Sequence, residues 1–123
     1  MKMTRDNIIM IYEILTQATG GTVGIRDEGL LISALESSNQ TFDGVELYST
    51  IVEKAVRLGY GLVSNHPFID GNKRIGILVM LTYLELNGIN VLFDDNEVID
   101  MGLGVASGKY KYEQLLQIVK SKI

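Results

Sequence analysis

The chain has no cysteine, one proline and one histidine in 123 residues. Without cysteine there is no disulfide framework and no zinc–thiolate site. A single histidine excludes multi-histidine metal centres and HExxH-type chemistry. Any metal must then be held by oxygen ligands, which points to magnesium or a similar hard ion. Positive charge is also scarce: 11 Lys and Arg stand against 15 Asp and Glu, a formal net charge of −4. Net charge therefore does not draw this chain to nucleic acid. The longest apolar stretch, residues 75–86, is too short to span a bilayer and contains Glu85. Near the N-terminus the apolar run from Ile8 to Tyr12 is cut short by Glu13, which is no signal peptide. These absences predict a cytoplasmic protein with no membrane partner and no direct nucleic-acid partner.

The length fits a single domain over residues 1–123, large enough to bury about two thirds of its unfolded surface. Repeats, low-complexity tracts and linkers are absent, and few breakers interrupt many Leu, Ile and Val at helical spacing. The pattern predicts an all-α bundle of about six helices. They fall at about residues 4–19, 27–37, 49–65, 72–87, 94–107 and 110–121. Thr4 caps the first, and Gly20-Gly21 stops it. The second should bury Leu30, Leu31, Ala34 and Leu35. Thr50 and Glu53 fit a capping box for the third, whose Val52, Ala55, Val56, Gly59, Leu62 and Val63 share one face. Pro67 pushes His66 out of helical geometry and ends that helix. In the fourth, Ile75, Ile77, Leu78, Val79, Met80, Leu81, Leu84 and Leu86 cover nearly the whole circumference, so it should be central and buried. Asp94 and Glu97 cap the fifth. Gly102 and Gly104 either weaken it or let it pack closely.

Residues 39–47 break the helical pattern. Thr41, Phe42, Asp43, Gly44 and Val45 read as a two-residue hairpin turn between extended residues. A lone hairpin is marginal, so it should lean on the helices as a flap. The plainer alternative is an ordinary helix-to-helix loop.

The chemistry concentrates in His66-Pro67-Phe68-Ile69-Asp70-Gly71-Asn72-Lys73-Arg74. The layout places a polar loop at the N-terminus of a buried helix, where free N–H groups and the helix dipole attract anions. Gly71 lets a ligand approach the backbone closely. Lys73 and Arg74 add full positive charge, and Asn72 adds a donor and an acceptor. Together they suit a polyphosphate. Asp70 suits a magnesium ion that bridges phosphate oxygens. Histidine is the side-chain type suited to proton transfer near neutral pH, so His66 can take the proton from an attacking hydroxyl. Taken singly, each part has a bland alternative: a helix terminus, a turn, a solvated first helical turn. Their juxtaposition favours a site. Arg26 either reaches the site edge or anchors the loop before the second helix. Ordinary P-loop and protein-kinase signatures are absent.

The nine residues from His66 to Arg74 resemble the signature of the Fic/Doc family, whose pattern reads H-P-F-x-[D/E]-G-N-x-R. With Lys73 the chain resembles the Doc branch, the death-on-curing toxins. The segment from Gly24 to Leu31 and the stretch from Asn39 to Tyr48 are also Doc-like. The resemblance covers about residues 20–90.

It implies a helical fold with the motif loop between two central helices. It implies His66 as the base, Asp70 as the magnesium ligand, and Gly71, Asn72, Lys73 and Arg74 as the nucleotide-phosphate site. The hairpin would pin a target segment by strand addition. Members that transfer AMP have glycine where this chain has Lys73, and a second arginine where it has Ile77. Doc-type members instead transfer the γ-phosphate of ATP to a threonine of elongation factor Tu. The resemblance thus implies an ATP-dependent protein phosphotransferase toxin with magnesium. An AMP transferase and a catalytically silent nucleotide- or partner-binding domain are the alternatives. Self-restrained members carry an internal [S/T]-x-x-x-E-[G/N] helix; the nearest match here, Ser49 to Glu53, is followed by Lys54. Restraint should come from a separate, Phd-like antitoxin.

Overall fold

The computed structural model of the chain describes residues 1–21 and 24–123. The described residues form six helices and one hairpin. The helices are α1 (Arg5–Thr19), α2 (Glu28–Ser38), α3 (Ile51–Asn65), α4 (Asn72–Leu86), α5 (Asp95–Ala106) and α6 (Tyr112–Lys120). The hairpin pairs β1 (Thr41–Phe42) with β2 (Val45–Glu46) in antiparallel register, Thr41 opposite Glu46 and Phe42 opposite Val45. The expected all-α class with a small hairpin is what forms. No helix among the described residues is long and apolar enough to cross a membrane.

The helix starts follow from local chemistry. Thr4 and Asn7, Thr50 and Glu53, and Asp94 and Glu97 each exchange side-chain and backbone hydrogen bonds as capping boxes. Asp27 sits just outside α2, where its carboxylate accepts from the Leu30 N–H at 3.1 Å. Each such cap is worth about 1 kcal/mol. The sixth helix starts at Tyr112 rather than 110. Gly108 takes a left-handed φ of 84°, and the Tyr110 N–H turns back to the Gly104 carbonyl at 2.9 Å, so Tyr110 lies in the turn that closes the end of α5.

α3 and α4 form the centre, with α2 and α6 packed on α3 and α5 and α1 packed mainly on α4. Ile75, Ile77, Val79, Met80 and Leu84 of α4 are fully sequestered, whereas Leu86 is exposed at the helix end. In α2, Leu31 and Ala34 are buried, and Leu30 and Leu35 only half so. The two central helices cross closely at glycines. A Cβ on Gly76 would stand 2.6 Å from Val63 Cγ2 and 3.0 Å from the Gly59 carbonyl oxygen. That approach sets the distance between the end of α3 and the start of α4, the two points the motif loop must join. Gly102 plays a similar part for α5. A Cβ there would fall 2.7 Å from the Lys73 carbonyl oxygen, so close packing is the reason for this glycine.

Candidate active site

The motif loop is built by an alternation of buried and exposed residues. Pro67, Phe68 and Asn72 point into the protein; His66, Asp70, Gly71, Lys73 and Arg74 are exposed. Phe68 stacks on Tyr12 of α1 with ring centroids 4.1 Å apart. Asn72 holds the loop from within: its Oδ1 accepts from the Phe68 N–H at 2.9 Å, and its Nδ2 donates to the Phe68 carbonyl at 2.9 Å. The Asn72 side chain, expected at the phosphate site, is thus committed to the loop.

A second strip braces the loop from the α2 side. Ile25 and Phe68 form an isolated antiparallel bridge. The Arg26 and Asp27 N–H groups both donate to the Pro67 carbonyl, at 2.7 and 3.0 Å, and the Ile69 N–H donates to the Gly24 carbonyl at 3.0 Å. The Tyr12 hydroxyl bonds both the N–H and the carbonyl of Gly24. The Arg26 guanidinium donates to the carbonyls of His66 at 2.8 Å and Asn65 at 3.1 Å. Of the two readings of Arg26, the structure selects anchoring.

His66 caps α3 in the left-handed region, at φ 53° and ψ 54°. For a non-glycine residue this conformation costs roughly 1–2 kcal/mol. Its Nδ1 lies 3.1 Å from the Ser64 carbonyl oxygen. A carbonyl can only accept, so the neutral ring carries its proton on Nδ1 and keeps a lone pair on Nε2.

His66, Ile69, Asp70, Gly71, Asn72, Lys73 and Arg74 line one open cleft of about 340 Å³. Gly71, at φ 79°, is the left-handed residue that starts α4, and no side chain caps that helix end. The first N–H groups of α4 therefore have no side-chain capping acceptor, and the residues that carry them, Asn72 and Lys73, line the cleft. Asp70, Gly71 and Arg74 also form the wall of a second cleft of about 240 Å³, closed on its other side by Tyr12, Leu15, Thr16, Thr19 and Gly21. Sequence reasoning missed this α1 wall, since its residues carry only an ordinary helical pattern.

Asp70 accepts the Gly71 N–H on Oδ1 at 2.8 Å. Among the described residues it is the one carboxylate that lines either cleft. The described residues hold no group of three or more acidic, His or Cys side chains that could cage a metal. A single carboxylate fits a magnesium ion that arrives on a polyphosphate, with phosphate oxygens and waters completing its shell.

The hairpin stands apart. Asp43 (φ 54°) and Gly44 (φ 79°) make the two-residue left-handed turn expected from the Asp-Gly pair. Phe42 and Val45 are 75% and 67% exposed. Neither cleft is lined by Thr41, Phe42, Asp43, Gly44 or Val45. The hairpin is tied by Glu46 to Lys54, near the start of α3, and His66 lies twelve residues further along, about 18 Å of helix.

The loop, the strip of residues 24–27 that braces it and the uncapped helix end are the setting of a known signature. A sequence model of the Fic/DOC family matches residues 2–84, and the chain belongs to that family. Two relatives fall in its Doc branch. One is a protein of Mycolicibacterium smegmatis named Toxin Doc, 38% identical over 92 residues that cover 75% of this chain and 68% of the relative. The other is the Protein kinase doc of Escherichia phage P1, 27% identical over 104 residues, or 85% of this chain and 81% of that one.

Proposed function

We propose that the chain is a Doc-type toxin that transfers the γ-phosphate of ATP to a hydroxyl of a protein target. The observation that carries this is the single cleft holding His66, Asp70, the uncapped start of α4, Lys73 and Arg74. The triphosphate lies against the first N–H groups of α4, with the Lys73 and Arg74 cations beside it. Asp70 would hold magnesium, which neutralises charge on the phosphate oxygens. The target hydroxyl attacks the γ-phosphorus; the new O–P bond forms as the bond to the β-phosphate oxygen breaks, and ADP leaves. The Nε2 lone pair of His66 takes the hydroxyl proton.

Two features favour this over AMP transfer. Lys73 supplies a cation where AMP-transferring members have glycine. Ile77 is fully buried in the core, where those members place a second arginine. The target is a translation factor such as elongation factor Tu, with threonine as the acceptor. The name Toxin Doc borne by the M. smegmatis relative supports the toxin role and, with it, a Phd-like antitoxin that restrains the chain. The site of action is the cytoplasm.

The test is to incubate the protein with bacterial lysate and ATP labelled at either the α or the γ phosphate. Label from the γ position should reach protein. Label from the α position alone would make the chain an AMP transferase. No transfer by well-folded protein would make it a silent binding domain.

A further inference from the structure

We propose that Arg26 is the positioning residue that holds His66 in its working conformation. The inference rests on the reading of His66 as the base. The final carbonyls of α3 have no partner within the helix, and its last turn has no basic residue of its own. The cation comes from elsewhere: the Arg26 guanidinium reaches across and binds two successive carbonyls, those of Asn65 and His66. The second belongs to the residue in the left-handed conformation. One bond from that carbonyl, Pro67 is pinned as well, because the Arg26 and Asp27 N–H groups both donate to its oxygen. Arg26 thus grips the chain on both sides of the His66–Pro67 peptide.

That grip matters to the imidazole. The Nδ1 contact to Ser64 exists only while His66 folds back over the end of α3. Ser64 and His66 are two residues apart, so an extended His66 would carry its ring away from that carbonyl. Losing the contact would free the ring to adopt either tautomer, and one of them has no lone pair on Nε2. Arg26 itself lines neither cleft. Its guanidinium is spent on the His66 and Asn65 carbonyls, which places it to act through His66. A lysine would not replace it, since one ammonium lacks the planar fork that spans two carbonyls.

The chain's single histidine makes the test direct. Arg26→Ala and Arg26→Lys would be compared with the wild type at about pH 8.5, where an ordinary imidazole is neutral. Long-range ¹⁵N–¹H spectra of the one imidazole report its tautomer, and backbone amide spectra report the fold. Wild type should show the Nδ1–H form, and both variants a mixture. In the γ-phosphate assay kcat should fall about 10- to 100-fold, with KM for ATP within about twofold. Should Arg26→Ala fail to fold, Arg26→Lys decides. A folded lysine variant with the wild-type tautomer and rate would overturn the proposal. So would a loss confined to KM, which would make Arg26 a nucleotide ligand. If the wild type itself transfers no phosphate, the kinase reading fails, and the tautomer spectra alone decide the role of Arg26.

Discussion

Lys54 Nζ lies 3.2 Å from Glu46 Oε1, and this contact ties the hairpin to α3. The two partners differ in surroundings. The Lys54 side chain is 11% exposed and that of Glu46 52%. The ammonium nitrogen itself is sealed from solvent and makes no directed hydrogen bond, so the Glu46 charge is what compensates it. Glu46 reaches further, adding to the burial that pushes the Tyr83 phenol up; a backbone bond at Met3 offsets part of that.

The pair should therefore respond unequally to mutation. Glu46→Gln leaves a buried ammonium without its counter-charge and should cost about 1–3 kcal/mol, less than for a fully buried pair because Glu46 is half exposed. Lys54→Met removes the charge and keeps the apolar stem, and should stay within about 1 kcal/mol of wild type. Urea unfolding measures both. Equal losses would mean that the lysine is not short of compensation. Hydrogen exchange at residues 41–46 should quicken in either variant.

Asn72→Ala should destabilise the protein by about 2–3 kcal/mol. It leaves the buried N–H and carbonyl of Phe68 without partners, and such groups cost more to strand than a bond contributes when made. Transfer activity should fall with it, because Phe68 stands between His66 and Asp70. A variant as stable as wild type but with weak ATP affinity would instead place the amide on the nucleotide.

His66→Ala should lower transfer by about 10²–10⁴-fold, the usual worth of a general base, with ATP affinity little changed. Asp70→Asn should act through the metal, raising the magnesium concentration needed for half-maximal rate. Rate loss in Asp70→Asn that no magnesium concentration relieves would argue for a role other than metal binding. For the toxin reading, expression of wild type should arrest bacterial growth, and expression of His66→Ala should not.

Glu97 gives a pH signature away from the site. The Asp94 backbone N–H first, and Lys122 at 3.0 Å second, hold its carboxyl below the ordinary value. A depressed carboxyl stabilises the fold above its unfolded pKa, and that gain is lost as pH falls through the folded value. Glu97→Gln should therefore lower Tm at pH 7 and make no difference under strongly acid conditions. The comparison is a pair of melting curves at each pH. A gap that persists in acid would show that charge is not the cause.

Much of the fold was legible because its determinants are local. Thr4, Thr50 and Asp94 mark helix starts by capping chemistry, which needs only the next three residues. Asp43-Gly44 marks the hairpin, since Asp-Gly readily takes the left-handed pair that one of the two favoured two-residue turns requires. The motif loop could be placed before a buried helix because Ile75, Ile77, Val79 and Met80 crowd most of the circumference of α4, leaving a stripe along Arg74, Leu78, Leu81 and Glu85 at least partly open to solvent.

What tertiary structure decided is where polar groups find partners far away in sequence. Asn72 looked like a phosphate ligand and turned inward to Phe68, because a buried loop must satisfy its own backbone. Arg26 had two open readings, and the choice depended on the end of α3 lying within reach across 40 residues of chain. The hairpin was recognisable, yet its place near the start of α3 rather than beside His66 follows from how α2 and α3 pack. Gly59, Gly76 and Gly102 bear no local signal of their purpose; only the close crossing of main chains shows why a side chain there has no room.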